Sequence, residues 1–159
     1  MEAQMHYLIE GIDPAPYRQL FELDDAALAA RNIVRVTADG KPGFPCRVTL
    51  DEAEVGETLL LLNHTSRDGA TPYCASHAIF VREAGTAPAR FVDSVPPVFG
   101  PRKLSLRGFD ASGMMVDAMI TEPGEAAGGL ETLFANPEIV EIDVHNAVRG
   151  CFAARARRA

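Results

Sequence analysis

Four consecutive leucines, Leu59 to Leu62, constrain this chain more than any other feature. The run is too short for a globular helix, and it sits between Gly56 and a polar segment that reaches Tyr73. A segment apolar at every position needs cover on both faces, so it predicts a central β-strand. It lies in the middle of the stretch Gly43–Glu83, which also holds two of the three cysteines and two of the four histidines. Pro42, Gly43 and Pro45 restrict the backbone and predict a defined loop leading into that stretch. Thr49 and Glu52 have capping-box spacing, which predicts a helical turn over residues 50–54 closed by Gly56. Residues 64–73 read as a polar loop and His77 to Arg82 as a second strand.

The flanking segments alternate in the same short-range way. Tyr7 and Ile9 suit a first strand. Asp13-Pro14 and Asp24-Asp25 offer two helix starts within residues 14–31, predicting one broken helix or two short ones. Ile33 to Val36 is a strand before the Asp39-Gly40 turn. The proline-rich stretch from Ala84 to Pro101 predicts a surface wrap. Strands over 103–109 and 114–120 form a hairpin through Asp110–Gly113, with Met114, Val116, Ala118 and Ile120 as the apolar face. Leu130, Leu133 and Phe134 mark an amphipathic helix that ends by Asn136-Pro137. Val140, Ile142 and Val144 alternate with Glu141, Asp143 and His145, which places Asp143 and His145 on a solvent face, and a last strand over 150–157 completes a second hairpin. The terminal Arg155, Arg157 and Arg158 read as a solvated edge. Short connections and two-sided alternation predict an α+β fold: a single sheet-dominated domain over residues 1–159, mostly antiparallel strands with two or three helices.

Charge narrows the function classes. The chain has 159 residues, 22 acidic against 15 basic, for a formal net charge of −7. That excludes a global basic field for nucleic acid or anionic membrane, while leaving room for a local basic pocket. No apolar run approaches the ~18 residues of a membrane span, and MEAQMHYLIEG lacks a leader pattern. Three cysteines are too few for a disulfide scaffold; reduced thiols and a cytoplasmic location are the expectation.

Three kinds of chemistry fit the residues. Cys74 and His77 stand two residues apart, and with Cys46 and His64 they offer four zinc-type ligands. The other intervals, 17 and 9 residues, match no standard zinc pattern, so no metal and no cofactor is assigned. Cys46 precedes Arg47, whose charge favours a thiolate; with His64 or His77 as base it forms a candidate Cys–His pair, and Cys46 with His77 is the catalytic pair assigned. The third is an anion pocket in which Arg47, Arg67 and Arg107 offer forked donors to a carboxylate or phosphate, with His77 lining it; Arg47, His64 and Arg107 are the ligand-binding residues assigned.

Phe44-Pro45-Cys46-Arg47, Asp51 to Glu57 leading into Leu60–Leu62, Pro72-Tyr73, Ile79-Phe80-Val81, Asn146-Ala147 and Gly150-Cys151-Phe152 resemble, in that order, the bacterial "domain of unknown function 1203" family. The resemblance runs from about Tyr7 to Arg158. It implies that Cys46, Arg47 and Cys151 belong to the family's pattern and gives none of them a role. The sequence therefore predicts a cytoplasmic binding domain for a small anionic metabolite, with its pocket beside the Phe44–Arg47 loop and His77. A thiol-dependent enzyme with Cys46 as nucleophile is the alternative, and a non-catalytic interaction domain acting through residues 95–101 the next. Small molecules are the expected partners; the sequence assigns no oligomeric state.

Overall fold

The structure, a computed structural model, describes residues 5–159; the first four residues lie outside it. In chain order the elements are β1 (Tyr7–Glu10), a 3-10 helix (Ala15–Glu22), α1 (Asp25–Ala29), β2 (Val34–Thr37), β3 (Thr58–Arg67) and β4 (Ala75–Arg82). There follow β5 (Arg90–Val92), a 3-10 turn (Pro97–Phe99), β6 (Leu104–Phe109), β7 (Met115–Thr121), α2 (Ala126–Phe134), β8 (Glu141–Asn146) and β9 (Phe152–Arg158). Two antiparallel sheets result: a six-stranded sheet in the order β5-β1-β9-β8-β6-β7 and a three-stranded sheet in the order β2-β3-β4. The fold is α+β and sheet-dominated, as the alternation predicts.

The leucine run is the middle strand of the smaller sheet. Leu60 and Leu62 face the two short N-terminal helices through a core shared with Leu28, Cys46, Val48, Ile79 and Val81. Leu59 packs to the other side with Ala38 and Ala53. Asp24 caps α1, its carboxylate accepting from the N–H of Ala27 at 2.8 Å. One face of the larger sheet packs Leu106, Ile142, Val144, Ala154 and Ala156 against Leu130, Leu133 and Phe134 of α2. Its other face meets the tip of the β3–β4 hairpin.

That meeting corrects two readings. Asp143 and His145 are each 2% exposed rather than solvated. Arg67, at the end of β3, donates to Asp143 Oδ2 at 2.9 Å and to Glu141 Oε1 at 2.7 Å, and its guanidinium lies 3.7 Å over the Phe109 ring. Arg155 donates to Asp143 Oδ1 at 2.6 Å and to the Ser66 carbonyl at 2.5 Å. The polar half of the β8 alternation faces a second sheet rather than water. The terminal arginines also sit on an interior strand, β9, and Arg158 donates to the carbonyls of Phe134 and Asn136 at the end of α2. Burial alone would raise the Asp143 carboxyl; Arg155 and Arg67 outweigh it and hold it below its ordinary value.

Three local expectations also change. Residues 50–54 form no helical turn. Pro45 bridges Glu52, the Cys46 N–H donates to Asp51, and Leu50 takes a left-handed φ of 54°. The loop doubles back because its side chains enter two cores: Leu50 joins the α2 side, while Cys46 and Val48 join the helix side of the small sheet. The polar loop starts later than expected, since β3 continues through His64 to Arg67. On β7 the phase is reversed. Met119 and Thr121 face α2, while Val116 and Ile120 stay 37% and 52% exposed on an edge strand. Gly129 permits this: a Cβ there would stand 2.5 Å from Thr121 Cγ2 and 2.7 Å from Leu106 Cδ1, so α2 can approach only without one.

Candidate functional site

A cavity of about 600 Å³ opens where the two sheets meet the loops around residues 43–47, 101–103 and 146–151. Its apolar wall is made by Pro45, Leu61, Phe80, Pro101 and Val148, and its polar wall by Arg47, His77, Arg102, Lys103, Asn146, Arg149 and Cys151. The size and mixed lining are those of small-molecule sites.

Arg47 is fixed by the fold. Its backbone N–H donates to Phe80 of β4 at 3.1 Å, and its carbonyl accepts from Ile12 at 2.9 Å. The residue is only 3% exposed, and its guanidinium spends its donors across the sheets. Nε donates to the Phe152 carbonyl at 2.8 Å, Nη1 to the Pro45 carbonyl at 2.7 Å and Nη2 to Cys151 Sγ at 3.2 Å. None of these partners is a carboxylate. Burial lowers the guanidinium below its ordinary value, though such groups remain cations in proteins. Arg102 pairs with Glu52, and Lys103 with Glu122 at 3.2 Å. Arg149 is exposed and has no side-chain partner among the described residues.

Beside the cavity lies a histidine cluster. His64 and His77 are directly opposed across β3 and β4. His77 and His145 meet edge to face with ring centroids 5.0 Å apart, and Phe152 contacts both His145 and His64. His145 Nδ1 donates to the Gly150 carbonyl at 3.0 Å, which fixes its tautomer. His64 Nδ1 and the Tyr17 hydroxyl are 2.6 Å apart. His77 Nδ1 is buried with no hydrogen-bond partner among the described residues, as is Asn146 Oδ1. Burial, then Arg107, lowers His77; burial, then Arg155 and Arg47, lowers His64. His145 is pushed down to about 4, mainly by burial.

The His145 shift has a measurable consequence. The folded state resists protonating a ring that the unfolded chain protonates near pH 6.5, so its neutral form stabilises the fold fully above that pH. Stability should fall as pH drops from about 6.5 toward 4, by up to roughly 3 kcal/mol from this residue. Urea unfolding of the protein and of His145→Phe at pH 7 and pH 5 checks it. The phenylalanine variant should lose less stability between the two pH values, and equal losses would refute the assignment.

Of the residues singled out from sequence, Arg47 and His77 line the cavity. Cys46 does not: it is fully buried on the helix side of the small sheet, its sulfur accepting from the Arg82 N–H at 3.5 Å. His64 stands behind His77 against Tyr17 rather than on the cavity wall. Arg107 is near His77 and His145, its Nε donating to Ser105 Oγ at 3.2 Å. Cys74 is exposed on the β3–β4 loop, its thiol donating to the Gly69 carbonyl at 2.8 Å. Among the described residues, no three His, Cys, Asp or Glu side chains gather as metal ligands. Arg102, Lys103, Asn146, Arg149 and Cys151 went unassigned from sequence. Only the Asn146-Ala147 and Gly150-Cys151-Phe152 pieces of the family pattern pointed to that loop.

Fold and site together define an α+β protein with a basic, half-apolar cavity between two antiparallel sheets. The chain belongs to the family described as "Protein of unknown function (DUF1203)", which matches residues 43–158 and so takes in every residue of the cavity wall. No curated protein and no solved structure matches the chain. Among the described residues no helix is long and apolar enough to cross a membrane.

Proposed function

We propose that this protein binds a small organic anion with an apolar body in the cavity between its sheets, in the cytoplasm and without nucleic acid as a partner. One observation carries the reading. In a chain with 22 acidic and 15 basic residues, the cavity wall holds four basic side chains and no carboxylate. Arg102 and Lys103 are balanced by Glu52 and Glu122, but Arg47 and Arg149 are not. An unbalanced buried guanidinium is costly unless an anion completes it. Leu61 and Phe80 supply the opposite, apolar wall. The unpartnered His77 Nδ1 and Asn146 Oδ1 add polar contacts to orient a ligand. Burial of Cys46 on the far side of β4 weighs against the thiol enzyme built on that residue.

Benzoate and phenyl phosphate, with neutral benzamide as control, test the reading by thermal unfolding. A ligand at a hundred times its Kd stabilises by about 2.7 kcal/mol, which for this chain length raises Tm by about 5–10 °C. The anions should stabilise, benzamide should not, and Arg149→Ala should shrink the shift. Equal responses to benzoate and benzamide, or none to any anion, would count against it.

A further inference from the structure

We propose that Cys151 is a nucleophilic thiol on the cavity wall, reactive toward small organic anions that carry an electrophilic carbon; this rests on the anion-binding reading above. The three cysteines occupy three different settings. Cys46 is sealed in a core and Cys74 is exposed on a loop, whereas Cys151 is half-buried and lines the cavity. Its sulfur accepts from two N–H donors, Arg47 Nη2 at 3.2 Å and Asn146 Nδ2 at 3.2 Å.

A neutral thiol is a weak acceptor and has little use for a guanidinium and an amide together. The same pair suits a sulfur that gains negative charge as its proton leaves. Both donors are held in advance. Arg47 is anchored by the Phe152 and Pro45 carbonyls, and Asn146 lies at the end of β8. Fixed dipoles aimed at a developing charge need no rearrangement during reaction. Turning Nδ2 toward the sulfur leaves Asn146 Oδ1 buried and unpartnered, a group that a bound ligand's donor would satisfy. Arg149, exposed on the cavity wall, concentrates anions beside the thiol.

With an α,β-unsaturated carboxylate, sulfur bonds to the β-carbon, the π pair moves to the α-carbon, and that carbon takes up the thiol's proton. With the probe iodoacetate, the S–C bond forms as the C–I pair leaves on iodide, and the proton passes to the buffer.

The test treats the native full chain with iodoacetate or iodoacetamide and follows each cysteine by peptide mass spectrometry. Exposed Cys74 is the internal reference. The ratio of iodoacetate to iodoacetamide rates at Cys151 should exceed that at Cys74 by about tenfold or more. Arg149→Ala should bring it back toward the Cys74 value, and excess benzoate should slow labelling of Cys151 but not of Cys74. Equal ratios at the two sites, or no labelling of Cys151 before denaturation, would overturn the proposal. Benzoate's thermal shift on the unmodified protein separates the two ideas. A shift without selective labelling removes only the thiol chemistry, whereas no shift removes the anion site as well.

Discussion

Replacing Asp143 with alanine is expected to lower the free energy of unfolding by about 3–5 kcal/mol, the range for removing one partner from a buried ion cluster. The carboxylate is shared by Arg67 of the small sheet and Arg155 of the large one, so its loss leaves two guanidinium groups facing each other between the layers. Glu141 still pairs with Arg67, and the Ser66 carbonyl still accepts from Arg155. Neither substitutes for the missing charge at the centre. Set against a typical total of 5–15 kcal/mol, the loss would leave a marginal fold. Urea unfolding gives the answer through its midpoint, with the slope showing whether the native state loosens as well. A loss below about 1 kcal/mol would mean that the cluster contributes no more than a surface pair.

Gly11→Ala should be comparably damaging, at roughly 3 kcal/mol or more, since backbone cannot swing aside as a side chain can. A Cβ at residue 11 would fall 1.8 Å from the Val48 carbonyl oxygen and 3.1 Å from that of Arg47. Either the segment Gly11-Ile12 retreats, breaking the Ile12 to Arg47 hydrogen bond, or the 45–48 loop moves and carries the Arg47 guanidinium with it. Stability and anion binding should therefore fall together. Gly40→Ala, with open space around the added methyl, is the matched control and should change stability by less than about 0.5 kcal/mol. If the two variants unfold alike, the close approach is not what fixes the loop.

Legibility from sequence followed the range of the interaction. Alternation along β8 and the Asp110–Gly113 turn depend on near neighbours, and both were plain. The leucine run announced a doubly covered strand because apolar residues leave few alternatives. On β7 both faces carry apolar side chains, so the phase was set by where Gly129 allowed α2 to dock, ten residues away. Asp143 and His145 read as solvated because a polar residue in an alternating strand usually is; Asp143's partner Arg67 stands 76 residues earlier, across a different sheet, and His145 meets His77 of that same sheet. Cys46 drew attention through Arg47 beside it in the chain. In space the guanidinium turns instead to Cys151, 104 residues on. Cys46 lies in the helix-side core of the small sheet while Arg47 lines the cavity, so the neighbour in sequence is not the sulfur that the arginine serves.

The pairing of β1 with β9 bears on how the chain is made. Tyr7 faces Arg158 and Glu10 faces Arg155, so β1 finds its interior neighbour only far along the chain. Until then β1 has β5 alone on one side and an open edge on the other. Closing the large sheet thus waits on two strands far apart in sequence. Contacts so distant along the chain predict slow folding, and a ribosome stalled before residue 152 would display an unsealed sheet.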